Sequence, residues 1–495
     1  MVDGDHPQWL ERARRLVFPA HHLVDGALVP GGGPKQVVLS PRDGRPITAF
    51  ATASEDDTDH AVAAARRAFD DGPWPSFAPA ERGARLLRLA DLLAAHREEL
   101  ALLISLEMGK PISQAHDVEL RAAINTFRWY GQLADKLTDA SPHVDPAALA
   151  LVTREPTGVV AAVVPWNFPL TMAAWKLAPA LAAGCTVVLK PSERSSLSAL
   201  RLGELATRAG FPDGVLNVVA GEGPATGRTL GLHPDVDVLA FTGSTAVGRQ
   251  FLRYSADSNL KRVWLELGGK SPNIVLPDAP DLAAAAAGAA SAIFFNQGEM
   301  CTAGSRLLVH ESVREQVVEA VVRHAGKLRV GDPLDPRTEI GALVSAAHQR
   351  RVLDHIESAH QDGARLRAGG GAVRQDAGWY VEPTVFDEVD PTSRLAREEV
   401  FGPVLAVFGF TDLDEAIALA NDTDYGLSAA VWTSDLGTAH RTARALKAGT
   451  VWVNCYEEGD LTVPFGGRKL SGHGRDKSVH AIDKYTDLKT TWIAL

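Results

Sequence analysis

The spacing of apolar and polar residues changes repeatedly along this chain, and the changes predict helices and strands in alternation. Glu55 to Phe69 and Pro79 to Leu106 repeat apolar residues at helical spacing and predict two amphipathic helices. Gly158-Val-Val-Ala-Ala-Val-Val-Pro165 is instead a nearly unbroken apolar run, as expected of a parallel strand buried on both faces. A helix is predicted through Trp175 and Leu181, then a second buried strand, Cys185-Thr-Val-Val-Leu-Lys190. The next helix covers about Ser196 to Ala209, and Gly214 to Val219 and Val236 to Phe241 read as two more strands. This stretch is that of a doubly wound nucleotide-binding unit in an α/β protein. A second set of strands is expected at Asn273–Leu276, Ser305–Val309, Val404–Phe408 and Val451–Asn454. Gly331-Asp-Pro-Leu-Asp-Pro336 reads as a loop. The segment Leu488-Lys-Thr-Thr-Trp-Ile-Ala-Leu495 alternates and predicts an edge strand open to a partner chain.

A length of 495 residues implies two or three domains, and 45% apolar with 22% charged residues fits a soluble globular protein. A formal net charge of −11 argues against nucleic acid as a partner. Three cysteines make no disulfide framework and suit a reducing cytoplasm. The start, Met1-Val-Asp-Gly-Asp-His, lacks the basic and apolar regions of a secretory signal. The longest apolar run, Leu282 to Phe295, falls short of the roughly 20 residues of a membrane span, so no membrane partner is expected.

That same run leads to Cys301, in Phe294-Phe-Asn-Gln-Gly-Glu-Met-Cys-Thr-Ala-Gly-Ser-Arg306. A thiol at such a glycine-bearing turn can sit beside backbone N–H donors that favour a thiolate and a neighbouring oxyanion; a buried core cysteine is the alternative. Two other segments tip the balance toward chemistry: Glu266 in Leu265-Glu-Leu-Gly-Gly-Lys270 and Asn167 in Pro165-Trp-Asn-Phe-Pro169. Phosphate binding is less plainly written, since no Gly-x-Gly-x-x-Gly follows a predicted strand. In its place stands Phe241-Thr-Gly-Ser-Thr-Ala-Val-Gly248, where Gly243 and Ser244 can offer donors at a helix N-terminus; a plain strand-turn-helix connection reads the same way. Lys190-Pro-Ser-Glu193 adds a cation and a carboxylate at the carboxyl edge of the sheet. A carboxylate there binds ribose hydroxyls and favours NAD over NADP, unless Glu193 is simply a solvated acid.

Together these strings resemble the aldehyde dehydrogenase superfamily from near Glu55 to Leu495, joined by Glu398-Glu-Val-Phe-Gly-Pro403 and Pro464-Phe-Gly-Gly467. The resemblance implies a Rossmann-type NAD-binding domain (1–138 and 158–268), an α/β catalytic domain (269–477) and a β oligomerisation element (139–157 and 478–495), assembled as a homodimer or homotetramer. It implies Cys301 as the nucleophile, Asn167 and the Cys301 backbone N–H around the oxyanion, Glu266 as the base for hydrolysis, and Lys176 in the polar network nearby. Around NAD it implies Val164, Trp166, Lys190, Glu193, Gly223 and Phe241, then Gly243, Ser244, Val247 and Leu267, with Glu399 and Phe401 at the nicotinamide end. No metal is implied.

Glu266 favours hydrolysis over transfer to coenzyme A, because acylating branches lack an acid at this position. The C-terminal region, from Asn454-Cys-Tyr-Glu-Glu-Gly-Asp460 to Gly474-Arg-Asp-Lys-Ser478, most resembles gamma-glutamyl-gamma-aminobutyraldehyde dehydrogenases of putrescine degradation. Phe168, Trp175, Phe295 and Phe465 match tunnel-lining aromatic positions. Glu457, Glu458 and Asp460 then predict an acidic mouth suited to aminoaldehydes, with a solvated acidic loop as the alternative. Glu299 stands where glutamine is usual and, if near the thiol, would raise its pKa. A broad aliphatic or betaine aldehyde dehydrogenase, a coenzyme A-acylating semialdehyde dehydrogenase and a non-catalytic relative remain the competing readings.

Overall fold

The computed structural model describes residues 3–373 and 377–495; Met1 and Val2, the first residues of the segment read for a secretory signal, lie outside them. At the centre of an eight-stranded sheet is Val159–Val163, buried at every position. Its parallel core runs Leu216–Val218, Thr186–Lys190, Val159–Val163, Val238–Thr242, Arg262–Glu266. In chain order these are the third, second, first, fourth and fifth strands, so the order reverses between Val159–Val163 and Val238–Thr242. Such a switch point opens a crevice at the carboxyl ends of the strands. Register brings those ends level: Val163 faces Lys190 on one side and Phe241 on the other, and Thr242 faces Glu266.

The apolar stretch from Pro79 to Leu106 forms two helices rather than one. Pro79–Ala95 and Arg97–Met108 meet at His96, whose φ of −105° and ψ of 22° are not helical. The first helix buries a stripe, whereas Leu100 to Met108 is buried throughout. A single straight helix cannot serve both surroundings, and the break at His96 redirects the second half into the core.

The second sheet has seven strands, in the order Arg365–Ala368, Thr384–Asp387, Val404–Phe410, Arg306–His310, Pro272–Val275, Ser428–Trp432 and Thr450–Val453. All neighbours are parallel except the first pair. Thr384–Asp387 and Ser428–Trp432 were not expected from the pattern. The former ends in a buried aspartate held by Arg314 and Arg367, and the latter is built mostly of small residues. Only Leu267 to Ser271 separates the last parallel strand of the first sheet from Pro272–Val275, so Glu266 lies where the two sheets meet.

The chain end pairs as a ribbon: Thr486–Ala494 runs antiparallel to Ala148–Pro156, with Leu488 opposite Arg154 and Trp492 opposite Ala150. Among the described residues no helix is long and apolar enough to cross a membrane, and no cluster of metal-ligating side chains occurs.

Candidate active site

The strand Val159–Val163 ends at the loop carrying Trp166 and Asn167, before the helix Pro169–Ala183 begins. A fully buried ion pair fixes this loop from behind. Lys110 is bonded to Glu119, donates to the Asn167 carbonyl at 2.9 Å, and stands 3.6 Å above the Phe168 ring. Glu119 accepts from the Leu170 N–H at 3.0 Å. The Asn167 amide in turn donates to the Glu299 carbonyl at 2.9 Å, tying the loop to the turn before Cys301.

That turn follows the helix Leu282–Phe294. Asn296 and Gln297 are left-handed (φ 51° and 58°), a costly backbone for residues other than glycine. Their side chains hold the shape: Asn296 donates to the carbonyls of Glu299 and Asn167, and Gln297 accepts from the Gly341 N–H. Gly298 follows at φ 72°, where a Cβ would lie 2.3 Å from the Gly402 carbonyl carbon. Cys301 emerges half-exposed, unlike Cys185, which is buried and bonded to the Tyr485 carbonyl.

Surrounding protein pushes the Cys301 pKa far up, and the negative charges of Glu457, Glu266 and Glu399 push the same way; its own backbone N–H offsets only part. This corrects the expectation that the turn's N–H donors prevail. It also removes Glu299 as the cause: that carboxyl is fully buried, accepts from the Val344 N–H at 3.0 Å and faces His348.

Glu266 is buried, and its Oε1 has no hydrogen-bond partner among the described residues. Burial, then the Asp476 charge, holds it well above the usual carboxylate range despite Lys176, Lys484 and Arg475. Asp476 is clamped by Lys176 and Lys484; burial opposes its ionisation, but the two ammoniums prevail and keep its pKa low. Beyond Glu266, the paired glycines permit close approach. A Cβ on Gly268 would lie 2.1 Å from the Glu399 carboxylate, and one on Gly269 would lie 2.5 Å from the Cys301 carbonyl oxygen. Glu399 accepts from the Gly269 N–H at 2.9 Å, and burial raises its pKa to about 7.

Two cavities meet at Cys301. One, of about 300 Å³, is lined by Trp166, Gly243, Ser244, Leu267, Glu399 and Phe401, all anticipated around the cofactor, and also by Asn167. The other, of about 390 Å³, is lined by Trp175, Phe295, Phe465 and Glu457. Phe168 and Met172 border both. Glu457 is exposed to the second cavity yet ringed by protein, which raises its pKa, with Lys477 opposing.

The remaining predicted cofactor residues do not line the first cavity. Val164 and Lys190 are buried at adjacent strand ends, joined by a 3.1 Å bond from the Val164 N–H to the Lys190 carbonyl. Glu193 is half-buried, Gly223 is exposed with open space around its Cα, and Val247 lies in the first turn of Thr245–Ala256. Phe241 packs into the core against Phe251. Lys176 is bonded to Asp476 and acts on Glu266 only through its charge. Sequence reasoning missed Lys110, Glu119, Asp476 and Lys484; the first two reach the Asn167 loop from 57 and 51 positions away, and Asp476 meets Lys176 across 300. It also missed His348 and Arg351 on the cofactor-side wall and Tyr456 on the other. Asp476 and Lys477 had a signal in Gly474-Arg-Asp-Lys-Ser478, but nothing in that string distinguishes a buried clamp from a loop.

A nucleotide fits the first cavity by its chemistry. Aromatic Trp166 and Phe401 pack edge to face at 5.3 Å on one side, and the carboxyl of Glu399 stands beside them. Thr242 adds a buried hydroxyl with no partner among the described residues.

Residues 29–491 match the model of the aldehyde dehydrogenase family. An aminoacetaldehyde dehydrogenase of Pseudomonas aeruginosa is 52% identical over 483 residues, 97% of each chain. A solved gamma-glutamyl-gamma-aminobutyraldehyde dehydrogenase of Burkholderia cenocepacia J2315 is 54% identical, with a TM-score of 0.98 over 99% of this chain and 100% of that one. An indole-3-acetaldehyde dehydrogenase mutant of P. syringae, solved in complex with NAD+ and IAA, is 53% identical, with a TM-score of 0.99 over 100% of both chains. The chain belongs to the aldehyde dehydrogenase family.

Proposed function

We propose that this protein oxidises aldehydes to carboxylates with NAD, by way of a Cys301 thiohemiacetal and thioester that is hydrolysed. Its proposed substrates are aminoaldehydes such as gamma-glutamyl-gamma-aminobutyraldehyde. The observation that carries the reading is the position of the Cys301 thiol, shared by a nucleotide-sized cavity and an aromatic-walled one. The NAD+ complex of the P. syringae relative and the activities of the other two support the cofactor and substrate class.

Trp166, Gly243, Ser244, Leu267, Glu399 and Phe401 would hold the nicotinamide half, with Lys190 and Glu193 toward the adenosine end. NAD, when bound, supplies the hydride acceptor. Cys301 gives its proton to Glu266, which passes it on to solvent; the sulfur bonds the aldehyde carbon as the carbonyl π pair moves onto oxygen. One Asn167 amide hydrogen is committed to the Glu299 carbonyl. The second is left for the oxyanion, alongside the Cys301 N–H. Once hydride leaves, the carbon is a thioester on Cys301. Glu266 takes a proton from water as that water adds to the thioester, and the carboxylate departs with the Cys301 thiol restored. Its raised pKa makes it a stronger base than a surface carboxylate. Lys176, Asp476 and Lys484 hold charge beside it. We place the chemistry in a reducing cytoplasm, consistent with three unpaired cysteines. The domains are proposed at the boundaries given by the resemblance, in a homodimer or homotetramer joined through the C-terminal ribbon.

Pre-steady-state kinetics test the assignment. Wild type should release NADH continuously, and Glu266→Gln should give a burst of one NADH per subunit, then turnover slowed about 10²-fold or more. Cys301→Ala should give none. Burst-free turnover by Cys301→Ala, or a requirement for coenzyme A in the wild type, contradicts the proposal.

A further inference from the structure

Two aromatic residues on the wall of the substrate-side cavity, Trp175 and Phe465, hold a cation of the protein's own beside them. Trp175 and Phe465 pack 5.3 Å apart, and Lys477 Nζ stands 5.7 Å from one ring and 5.9 Å from the other. Both are distances at which an ammonium is attracted to a ring face. The ammonium makes no hydrogen bond or close ion pair among the described residues. It lies against the acidic loop, since a Cβ on Gly459 would come within 3.5 Å of it. Glu457, Asp460 and Asp476 all act on it through their charge. Asp476, however, is committed to Lys176 and Lys484, and Asp460 accepts from the Thr462 N–H.

The backbone holds this cation in place. Lys477 and Ser478 are both left-handed (φ 59° and 51°), a conformation rare for such residues. The Ser478 N–H is bonded to the Leu461 carbonyl at 2.7 Å, and Phe465 and Asp476 exchange backbone bonds of 2.8 and 2.7 Å. The aromatic pair best placed to receive a substrate's ammonium is therefore already occupied. A lone cationic tail meets like charge there, whereas a carboxylate tail meets an ammonium with a free coordination sphere.

We propose that Lys477 is a specificity-determining residue that receives a carboxylate at the far end of the aldehyde. With Glu457 it favours tails ending in an amino-acid group over tails ending in a lone ammonium. The assignment rests on the aldehyde-oxidising reading above and narrows its substrate class, replacing a purely acidic mouth by one of mixed charge.

The test compares ω-oxocarboxylates, ω-aminoaldehydes and plain alkanals of increasing chain length, through kcat/KM for NADH formation. Lys477→Asn is the informative variant, because asparagine tolerates the left-handed backbone. At the chain length that best spans the cavity, the wild type should prefer the carboxylate tail. The carboxylate-to-ammonium ratio should fall about fivefold in Lys477→Asn, through KM, and Lys477→Arg should restore it. A ratio unchanged by Lys477→Asn overturns the assignment. So does a wild type that favours ammonium tails at every length, whatever the variant does. Alkanal turnover accompanying either result leaves the aldehyde-oxidising reading standing. No NADH from any of the three series overturns both.

Discussion

At the scale of single residues, the surroundings of Cys301 favour its neutral thiol. Three carboxylates bear on Cys301, and Glu457 is foremost among them. A negative charge disfavours the thiolate, so neutralising Glu457 lowers the thiol pKa and raises the thiolate fraction at any pH below it. Glu457→Gln should therefore accelerate Cys301 alkylation by iodoacetamide at pH 8 by about three- to tenfold, and the wild-type rate should climb with pH. Peptide mapping separates Cys301 from the partly exposed Cys455. An unchanged or slower rate would show that Glu457 does not govern the thiol. Cys301, Glu266 and Asn167 stand out in the sequence because each sits in a distinctive string. The residues behind them do not: Lys110, in Met108-Gly-Lys110, reads as an ordinary surface lysine. Only folding reveals it as a buried cation holding the Asn167 loop from 57 positions away.

At the scale of elements, the run from Glu266 to Lys270 does more than join two sheets. Its glycines let Glu399 and the Cys301 carbonyl pack where side chains would stand. A methyl at Gly269 meets a backbone oxygen, which cannot rotate aside, so Gly269→Ala has to displace the turn that carries Cys301. We expect about 1–3 kcal/mol of lost stability by denaturant titration, with a larger fall in kcat than in cofactor affinity. Wild-type stability together with wild-type kcat would mean the turn is looser than its packing indicates. The same scale shows what hydrophobic pattern reveals. Val159–Val163 and Thr186–Lys190 announce themselves because strands buried on both faces need unbroken apolar runs. Ser428–Trp432 is equally buried, yet it opens with Ser-Ala-Ala because helices and neighbouring strands crowd it, and small residues carry little pattern. The break at His96 escaped notice because both flanking segments are apolar enough to read as one helix.

At the scale of the whole molecule, the C-terminal ribbon is the feature that a single chain does not explain. Two-stranded ribbons are marginal in water, because too little surface is buried to offset the ordering of the backbone. Here Thr486–Ala494 and Ala148–Pro156 stay paired over nine residues while leaving Leu488 66% and Trp492 59% exposed. Alternation in Leu488–Leu495 makes the strand legible from the pattern, whereas its pairing with Ala148–Pro156 is not, since 329 residues intervene; only the family resemblance groups 139–157 with the chain end. A second copy covering these side chains would supply the missing burial, at about 25 cal/mol per Å² of apolar surface removed from water. Replacing both Leu488 and Trp492 by aspartate places charge where that copy would dock. It costs the isolated fold little, because exposed substitutions change stability by about 0.5 kcal/mol or less. Sedimentation velocity should find the wild type assembled and the double variant shifted toward monomer, with the secondary-structure spectrum retained. A wild type that sediments as a monomer would mean the exposed ribbon serves something other than self-association, and an unshifted double variant would place the interface elsewhere on the chain.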